Sequence, residues 1–528
     1  MRSCAARFQW HFRLRRAVRV FLLAAGVLLL AAGHLSAQTD NTYEGRLSVI
    51  WGDPRPGQLG GGDVIFELYR DDGTYLPLRI PPEQRNEAIG AFGKRVIVRG
   101  RSQTDQRGQL GIDVESVEVV EKENRSTVQP QAVTTRRMLS ILVRFKGDNQ
   151  QPHPARFFNA LANPRNGNAS LGIPATINGF YHKTSWGQLV WQGDVAGVGG
   201  LNPKVWLTLP KTKLEYANCG WSGSCAATKL TTLFNDAVAL AVEEGVNLSV
   251  YDNINIMLNN DLDCCAWGGS RFYGGKQVGV TWNPPWSQTT GTFVHELGHS
   301  IGLPHSGWVY HAYDSNWDQM SAGTSASTLL CGTYNSANNS GAATNLYCDE
   351  PGSGFIAAYK DHLGWIPNAN KVVINSVGTT AVVLEANSAP LRNRVKLIKV
   401  CLKGFSCTGA SARYLTVEAR IRTGQYEASL PNEGVVIHDV QLNRSPIGGG
   451  NACFFNTQSG WAVPVDSTPG DYANAPNCNS GGRPYPNYGL HNAQFNVGDV
   501  YNNRQLGVRV RVIRRNANRF TVRVIRTK

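Results

Sequence analysis

Between Thr290 and Ser306 the chain places His295, Glu296, His299, Gly302 and His305 in the pattern H-E-x-x-H-x-x-G-x-x-H. On a helix, residues four apart share a face, so His295 and His299 can direct imidazole nitrogens at one cation. Glu296 follows the first of them, where its carboxylate can hold a water beside the metal without ligating it. Gly302 can take a positive φ and end the helix, and Pro304 stops it from resuming. The returning chain then brings up His305 as a third ligand. Three neutral imidazoles leave the fourth tetrahedral position of Zn²⁺ to water, the open arrangement of a catalytic zinc site. Zinc is the expected cofactor, with Glu296 as general base.

At ordinary residue frequencies, H-E-x-x-H alone arises by chance in roughly 1 in 100 chains of this length. Requiring the glycine and the third histidine lowers that by about three orders of magnitude. The competing reading is an amphipathic helix with surface histidines. Phe293, Val294, Leu297 and Ile301 do supply an apolar face. Such a face would bury a metal helix equally well, so it does not displace the zinc reading.

A site of this kind needs a scaffold, and the order of elements around it is α+β. Met138–Phe145 reads as a strand, Ala226–Glu244 as an amphipathic helix, and Asn253–Leu258 and Gln277–Trp282 as strands. The motif helix follows, and Phe355–Trp365 reads as a short helix ending at Gly364. This predicts a domain over 138–366 built as a twisted sheet with a backing helix and the metal helix. Residues 38–122 carry short β-branched runs with Asp-Gly and Gly-rich turns, which predicts a small OB-like barrel. That unit reads as a pro-region or spacer, with a binding module as the other reading. Residues 123–137 read as a polar linker, in which Arg136-Arg137 is a basic pair suited to maturation cleavage. From 367 to 528 the pattern is all β, as in a sandwich.

The first 37 residues read as a signal peptide. Arg2, Arg7, Arg13, Arg15, Arg16 and Arg19 precede an apolar run from Val20 to Gly33, and Ala37 is the small residue at the expected cut. The run is short for a membrane span, and no later segment is apolar enough to be one. A secreted or periplasmic protein is expected. The six leader arginines account for much of the formal +14 and leave +8. A charge of that size on a chain of 528 residues mostly concerns solubility and does not indicate nucleic-acid binding. Ten of the eleven cysteines remain after Cys4, an even number that fits disulfides in an exported chain. Near neighbours suggest Cys219–Cys225, Cys331–Cys348, Cys401–Cys407 and Cys453–Cys478. That leaves adjacent Cys264 and Cys265, whose direct bridge should be strained.

H295-E-L-G-H-S-I-G-L-P-H305, with Met320 beyond it, resembles the metzincin clan of zinc endopeptidases. The flanking stretches Gly179–Gln188, Val205–Pro210, Cys265–Gly269 and Tyr359–Trp365 are most similar to its gametolysin-like branch. The resemblance spans roughly residues 136–528. It implies His295, His299 and His305 as zinc ligands, Glu296 as general base, and Met320 in a turn beneath the metal. Two departures stand out. The position two after the methionine, where some metzincins have a tyrosine that assists at the zinc, is Ala322. No cysteine lies between residues 38 and 218 to silence a zymogen, so an inhibitory N-terminal unit would need a carboxylate or a steric block. Phe145-Lys-Gly-Asp148 is similar to the aspartate-bearing inhibitory motif of astacin-like pro-regions, but lies at the end of a core strand.

The expected activity is hydrolysis of extracellular or periplasmic proteins or peptides, with substrate extended along an edge strand near the metal. The runner-up is a non-enzymatic adhesin or matrix-binding protein on a peptidase scaffold. Within the enzyme class, Glu350 or Asp361 could replace His305 as third ligand, and His311 is a weaker candidate. Asp261, Asp263, Asp314 and Asp318 offer oxygens for calcium without an EF-hand spacing. Subsite preference and oligomeric state have no signature in the sequence.

Overall fold

In the computed structural model, residues 41–55, 64–104, 110–120, 133–167, 173, 175–197, 205–217, 229–307, 313–324, 330–335, 344–349, 352–428, 430–444, 460–467 and 490–528 are described. The signal peptide, most of the polar linker, Glu350, His311 and Cys219, Cys225, Cys453 and Cys478 lie outside these residues.

Strand β1 (Asn41–Pro54) alternates burial over its first residues and is continuously buried from Leu47 onward. The change of pattern marks a strand that leaves a half-exposed setting for one covered on both faces. Its first part belongs to a barrel with β2 (Val64–Tyr69), β3 (Tyr75–Arg79), β4 (Arg95–Thr104) and β5 (Leu110–Val119). Pairings run β1–β2–β3–β5–β4 and back to β1, so five strands close on themselves. The small barrel expected from the sequence is there.

The central sheet carries β6 (Thr134–Arg144), β7 (Leu189–Val195), β8 (Trp206–Thr208), β9 (Asn253–Leu258), β10 (Cys265–Tyr273) and β11 (Lys276–Asn283). Its order is β7–β6–β9–β11–β10, with β8 beside β6. All neighbours are parallel except β10, which runs antiparallel to β11. Helices cover both faces, as parallel strands require. Helices α1 (Ala155–Ala162) and α2 (Ile177–Thr184) lie on one face, α3 (Leu230–Glu243) on the other. Leu233, Phe234, Ala237 and Ala241 of α3 share a core with Leu139, Ile141, Ile254, Ile256 and Val280. On the opposite face, Phe293, Val294 and Leu297 of α4 (Thr290–Ser300) join Met138, Leu142, Phe157 and Phe180.

Beyond α4 come a hairpin, β12 (Leu330–Asn335) with β13 (Thr344–Asp349), and α5 (Ala357–His362). The C-terminal region has two sheets. One is β14 (Lys371–Ile374), β16 (Leu397–Cys401), β17 (Arg413–Arg420), β18 (Gly434–Gln441) and β19 (Ala462–Pro464), with β20 (Gln494–Phe495) on β18. The other is β15 (Gly378–Glu385), β23 (Arg519–Arg526), β22 (Val508–Asn516) and β21 (Val500–Asn503). Both contribute to a single core that includes Leu384, Val400, Val417, Ile437, Val510 and Val522.

Three expectations change. The N-terminal unit is not a separate bead, because the end of β1 pairs antiparallel with β10 and fuses barrel and central sheet into one eleven-stranded sheet. The strand expected from Met138 starts at Thr134, so Arg136 and Arg137 lie in the β6–β7 ladder and Arg137 is ion-paired with Asp194 at 2.7 Å. Cleavage at that pair would require unpairing a strand. Cys264 and Cys265 are bridged to each other, against the expectation from strain, alongside the expected Cys401–Cys407. In the β12–β13 ladder Cys331 stands opposite Cys348. Among the described residues no helix is long and apolar enough to cross a membrane.

Candidate metal centre

Helix α4 starts where the side chain of Thr289 accepts a hydrogen bond from the backbone N–H of Thr292, a standard N-cap. It ends after Ser300, and Gly302 takes φ +94°, as the sequence predicted. Its Leu303 N–H returns to the Gly298 carbonyl at 3.0 Å, a closure that needs the positive φ. The turn brings His305 to within 5.4 Å of the His295 ring and 4.7 Å of the His299 ring, centroid to centroid.

Two of the three imidazoles are held from outside through Nδ1. His295 Nδ1–H donates to the Gln319 carbonyl at 2.7 Å and His299 Nδ1–H to the Leu303 carbonyl at 2.7 Å. A carbonyl can only accept, so both rings keep a proton on Nδ1, which leaves Nε2 as the nitrogen that can face a metal. Burial pushes His299 down to about 3, which keeps it neutral. The Tyr359 hydroxyl of α5 donates to the His305 carbonyl at 2.7 Å, and the Tyr181 hydroxyl of α2 to the Val294 carbonyl at 2.8 Å. These tyrosines come from two of the four flanking stretches that carried the family resemblance.

Met320 is fully buried beneath α4, and a Cβ on Gly298 would collide with its sulfur. Its carbonyl accepts from Ser306 N–H at 3.0 Å, tying the methionine turn to the residue after His305. Glu296 is fully buried, and among the described residues neither carboxylate oxygen has a hydrogen-bond partner. Burial first, then the Asp53 charge, push its pKa well above the usual carboxylate range. Strand β10 crosses directly over it, and Gly268 is a glycine there because a Cβ would lie 2.8 Å from Glu296 Oε2 and closer still to its backbone carbonyl oxygen.

Three residues that sequence reasoning did not select complete the centre. Asp53, near the end of β1, has Oδ1 2.7 Å from His305 Nε2, and Oδ2 3.1 Å from His299 Nε2 and 3.5 Å from His295 Nε2. Burial opposes its ionisation, but the three histidines facing it hold its pKa well below the ordinary value. Tyr313 donates its hydroxyl to Asp53 Oδ1 at 2.5 Å. A tyrosine therefore does reach the histidines, although Ala322 ruled one out at the family position. Trp51 stacks on His299, centroids 4.7 Å apart and planes within 11°. The only sequence signal for Asp53 was a charged residue at the end of an apolar strand run, before Pro54.

The ligand-capable atoms of Asp53, His295, His299 and His305 lie within 4.8 Å of one another. Three imidazole nitrogens and a carboxylate converge there, a donor set that suits a bound cation. The residues fit zinc, whose common ligands are imidazole nitrogen and carboxylate oxygen.

The other candidates are placed elsewhere. Asp361 binds Lys371 Nζ at 2.7 Å. Asp148 accepts from Asn260 and from Gln150 N–H, away from the histidines. Asp263 accepts from Cys265 N–H and the Trp267 indole, and Asp318 from Ile356 N–H, with burial pushing Asp318 up to about 6. The other metal-capable group among the described residues, Asp263 with Cys264 and Cys265, has its two sulfurs bridged to each other.

A comparison with curated proteins gives no match. Residues 247–326 match the family model described as Peptidase M66. The matched segment runs from before β9 through the three histidines to just beyond Met320. It supports a peptidase, in a metallopeptidase family, whose substrates are proteins or peptides.

Proposed function

We propose that the protein is an exported zinc endopeptidase of metzincin type, with gametolysin-like flanking elements, in which His295, His299 and His305 hold the metal and Glu296 is the general base. The observation that carries this reading is the pair of Nδ1–H bonds to backbone carbonyls, which aim two Nε2 lone pairs at one point beside the unpartnered Glu296 carboxylate. Bound there, zinc would lower the pKa of a water and polarise the scissile carbonyl.

The remaining steps belong to the chain. Glu296 takes the water's proton and delivers it to the leaving amine, and its dry setting raises its proton affinity toward that of a base useful near neutrality. Tyr313 is placed to donate its hydroxyl hydrogen to the developing oxyanion, a role Ala322 cannot fill. Strand β10 lies above Glu296, and on the side where the end of β1 now pairs with it an extended substrate would pair backbone to backbone. Export rests on the basic and apolar leader alone.

The test is hydrolysis of a proteome-derived peptide library by zinc-loaded protein, in the native chain and with Asp53→Ala. Hydrolysis that a chelator abolishes is expected in at least the second. Adding Glu296→Ala should lower the rate by about 10²–10⁴-fold with zinc still bound. Absence of hydrolysis from both zinc-loaded proteins would favour the adhesin reading instead.

A further inference from the structure

We propose that Asp53 is a fourth protein ligand of the metal and that residues 50–54 of β1 hold the substrate's place on β10, so that the N-terminal barrel keeps the site latent. This rests on the peptidase reading above.

Asp53 is 4 % exposed and lies against all three histidines at 2.7–3.5 Å. On a tetrahedron with metal–ligand bonds of about 2.0–2.2 Å, ligand atoms are separated by about 3.3–3.6 Å. The two contacts of Oδ2, at 3.1 and 3.5 Å, are close to that separation, and the contact of Oδ1 with His305, at 2.7 Å, is shorter. A carboxylate oxygen in the fourth position leaves none for water, and a zinc site with four protein ligands is a closed one. The chain has no cysteine between residues 38 and 218 to serve in this way, and a carboxylate is the anionic zinc ligand that remains.

The backbone around Asp53 closes the cleft as well. Ile50, Trp51, Gly52, Asp53 and Pro54 pair with Gly269, Gly268, Trp267, Ala266 and Cys265, so the edge of β10 above Glu296 is already occupied. Gly52 lets the two strands approach, since a Cβ there would lie 2.5 Å from the Trp267 ring. Trp51 covers His299, and Phe92 of the barrel packs over the Gly302 turn. Buried Arg271 of β10 bonds Glu67 of β2 at 3.0 Å and Tyr69 at 2.7 Å, which anchors the barrel beside the cleft. A tethered ligand acts at an effective concentration on the order of millimolar. Peptide enters only when residues 50–54 leave β10, and without the Asp53–metal bond that segment is held by strand pairing and packing alone, so that it opens to substrate in the full-length chain.

Cobalt(II) in place of zinc makes the ligand set visible, and azide is a small probe of an open position. The full-length chain is loaded with Co²⁺ as wild type, Asp53→Asn and Asp53→Ala. Azide should leave the wild-type visible spectrum unchanged and shift the bands of both variants. Asparagine keeps the shape and the Tyr313 contact, so a shift in Asp53→Asn reports ligation and not misfolding. Casein hydrolysis should appear on substitution to alanine. An azide-induced shift in the wild type equal to that in the variants overturns the proposal, and the wild-type measurement alone decides this if a variant does not fold. Azide discrimination with no hydrolysis by any zinc-loaded form would uphold Asp53 as ligand and overturn the peptidase reading.

Discussion

Glu296 shows how much one side chain depends on what its neighbours lack. Its carboxylate keeps two free oxygens because the residue above it, Gly268, has no side chain. Replacing Gly268 with alanine puts a methyl against the Glu296 backbone as well as its carboxylate, and a helix backbone cannot swing away as a side-chain tip can. The strand and α4 must separate. Gly268→Ala should cost about 1–3 kcal/mol of stability and weaken zinc binding, measured by urea unfolding and by competition with a chromophoric chelator. Unchanged stability and affinity would show that β10 does not set the height of the roof over Glu296.

At the scale of elements, the join between barrel and central sheet depends on one buried ion pair as well as on the β1–β10 ladder. Arg271 and Glu67 are 2 % and 7 % exposed in their side chains. Thr231 of α3 donates to Glu67 Oε1 at 2.9 Å, so three elements meet there. Removing one partner leaves the other charge buried and uncompensated, which costs far more than an exposed pair is worth. Glu67→Ala should lower the unfolding free energy by about 3–5 kcal/mol in a denaturant titration. A loss under about 1 kcal/mol, the range of surface pairs, would mean that water reaches Arg271.

Across the whole molecule, the C-terminal sheets hold the metal centre in place. Fully buried Arg420 of β17 binds Glu427 through two nitrogens at 3.0 Å each and donates to the Trp317 carbonyl at 2.6 Å, three residues before Met320. Glu418 accepts from the first N–H of α5 at 3.1 Å, and α5 carries the Tyr359 that holds His305. His438 is buried in the same cluster, 3.8 Å from Glu418, and burial, then Arg420, hold its pKa down at about 3. The folded chain thus leaves His438 unprotonated, while the unfolded chain takes up a proton below about 6.5. Its contribution is complete above pH 6.5 and is lost as the pH falls toward 3. Glu418 acts in the opposite sense. Burial lifts it from 4.5 to about 7, so its contribution fades as the pH rises through that window. Comparing wild type with His438→Gln isolates the histidine. The wild type should lose stability relative to the variant by up to about 1.4 kcal/mol per pH unit on acidification below 6.5. Parallel pH profiles would show that His438 is already solvated.

The sequence by itself determined the histidine–glutamate constellation, the helix that carries it and the glycine that ends that helix. Each is local, set within about 25 residues by helical periodicity and turn chemistry. It also indicated a small barrel and a C-terminal β region, since strand period and turn residues are local too. Only the tertiary structure decided what stands opposite the histidines. Asp53 is more than 240 residues upstream in a W-G-D-P stretch with no catalytic spacing, and it arrives through the pairing of β1 with β10. Strand pairing between distant segments has no short-range signature, because its register depends on which edge is open once the core has packed. The same holds for Tyr313, whose own φ is +59°, and for Arg420, whose role in steadying the methionine turn is set by the packing of one unit on another.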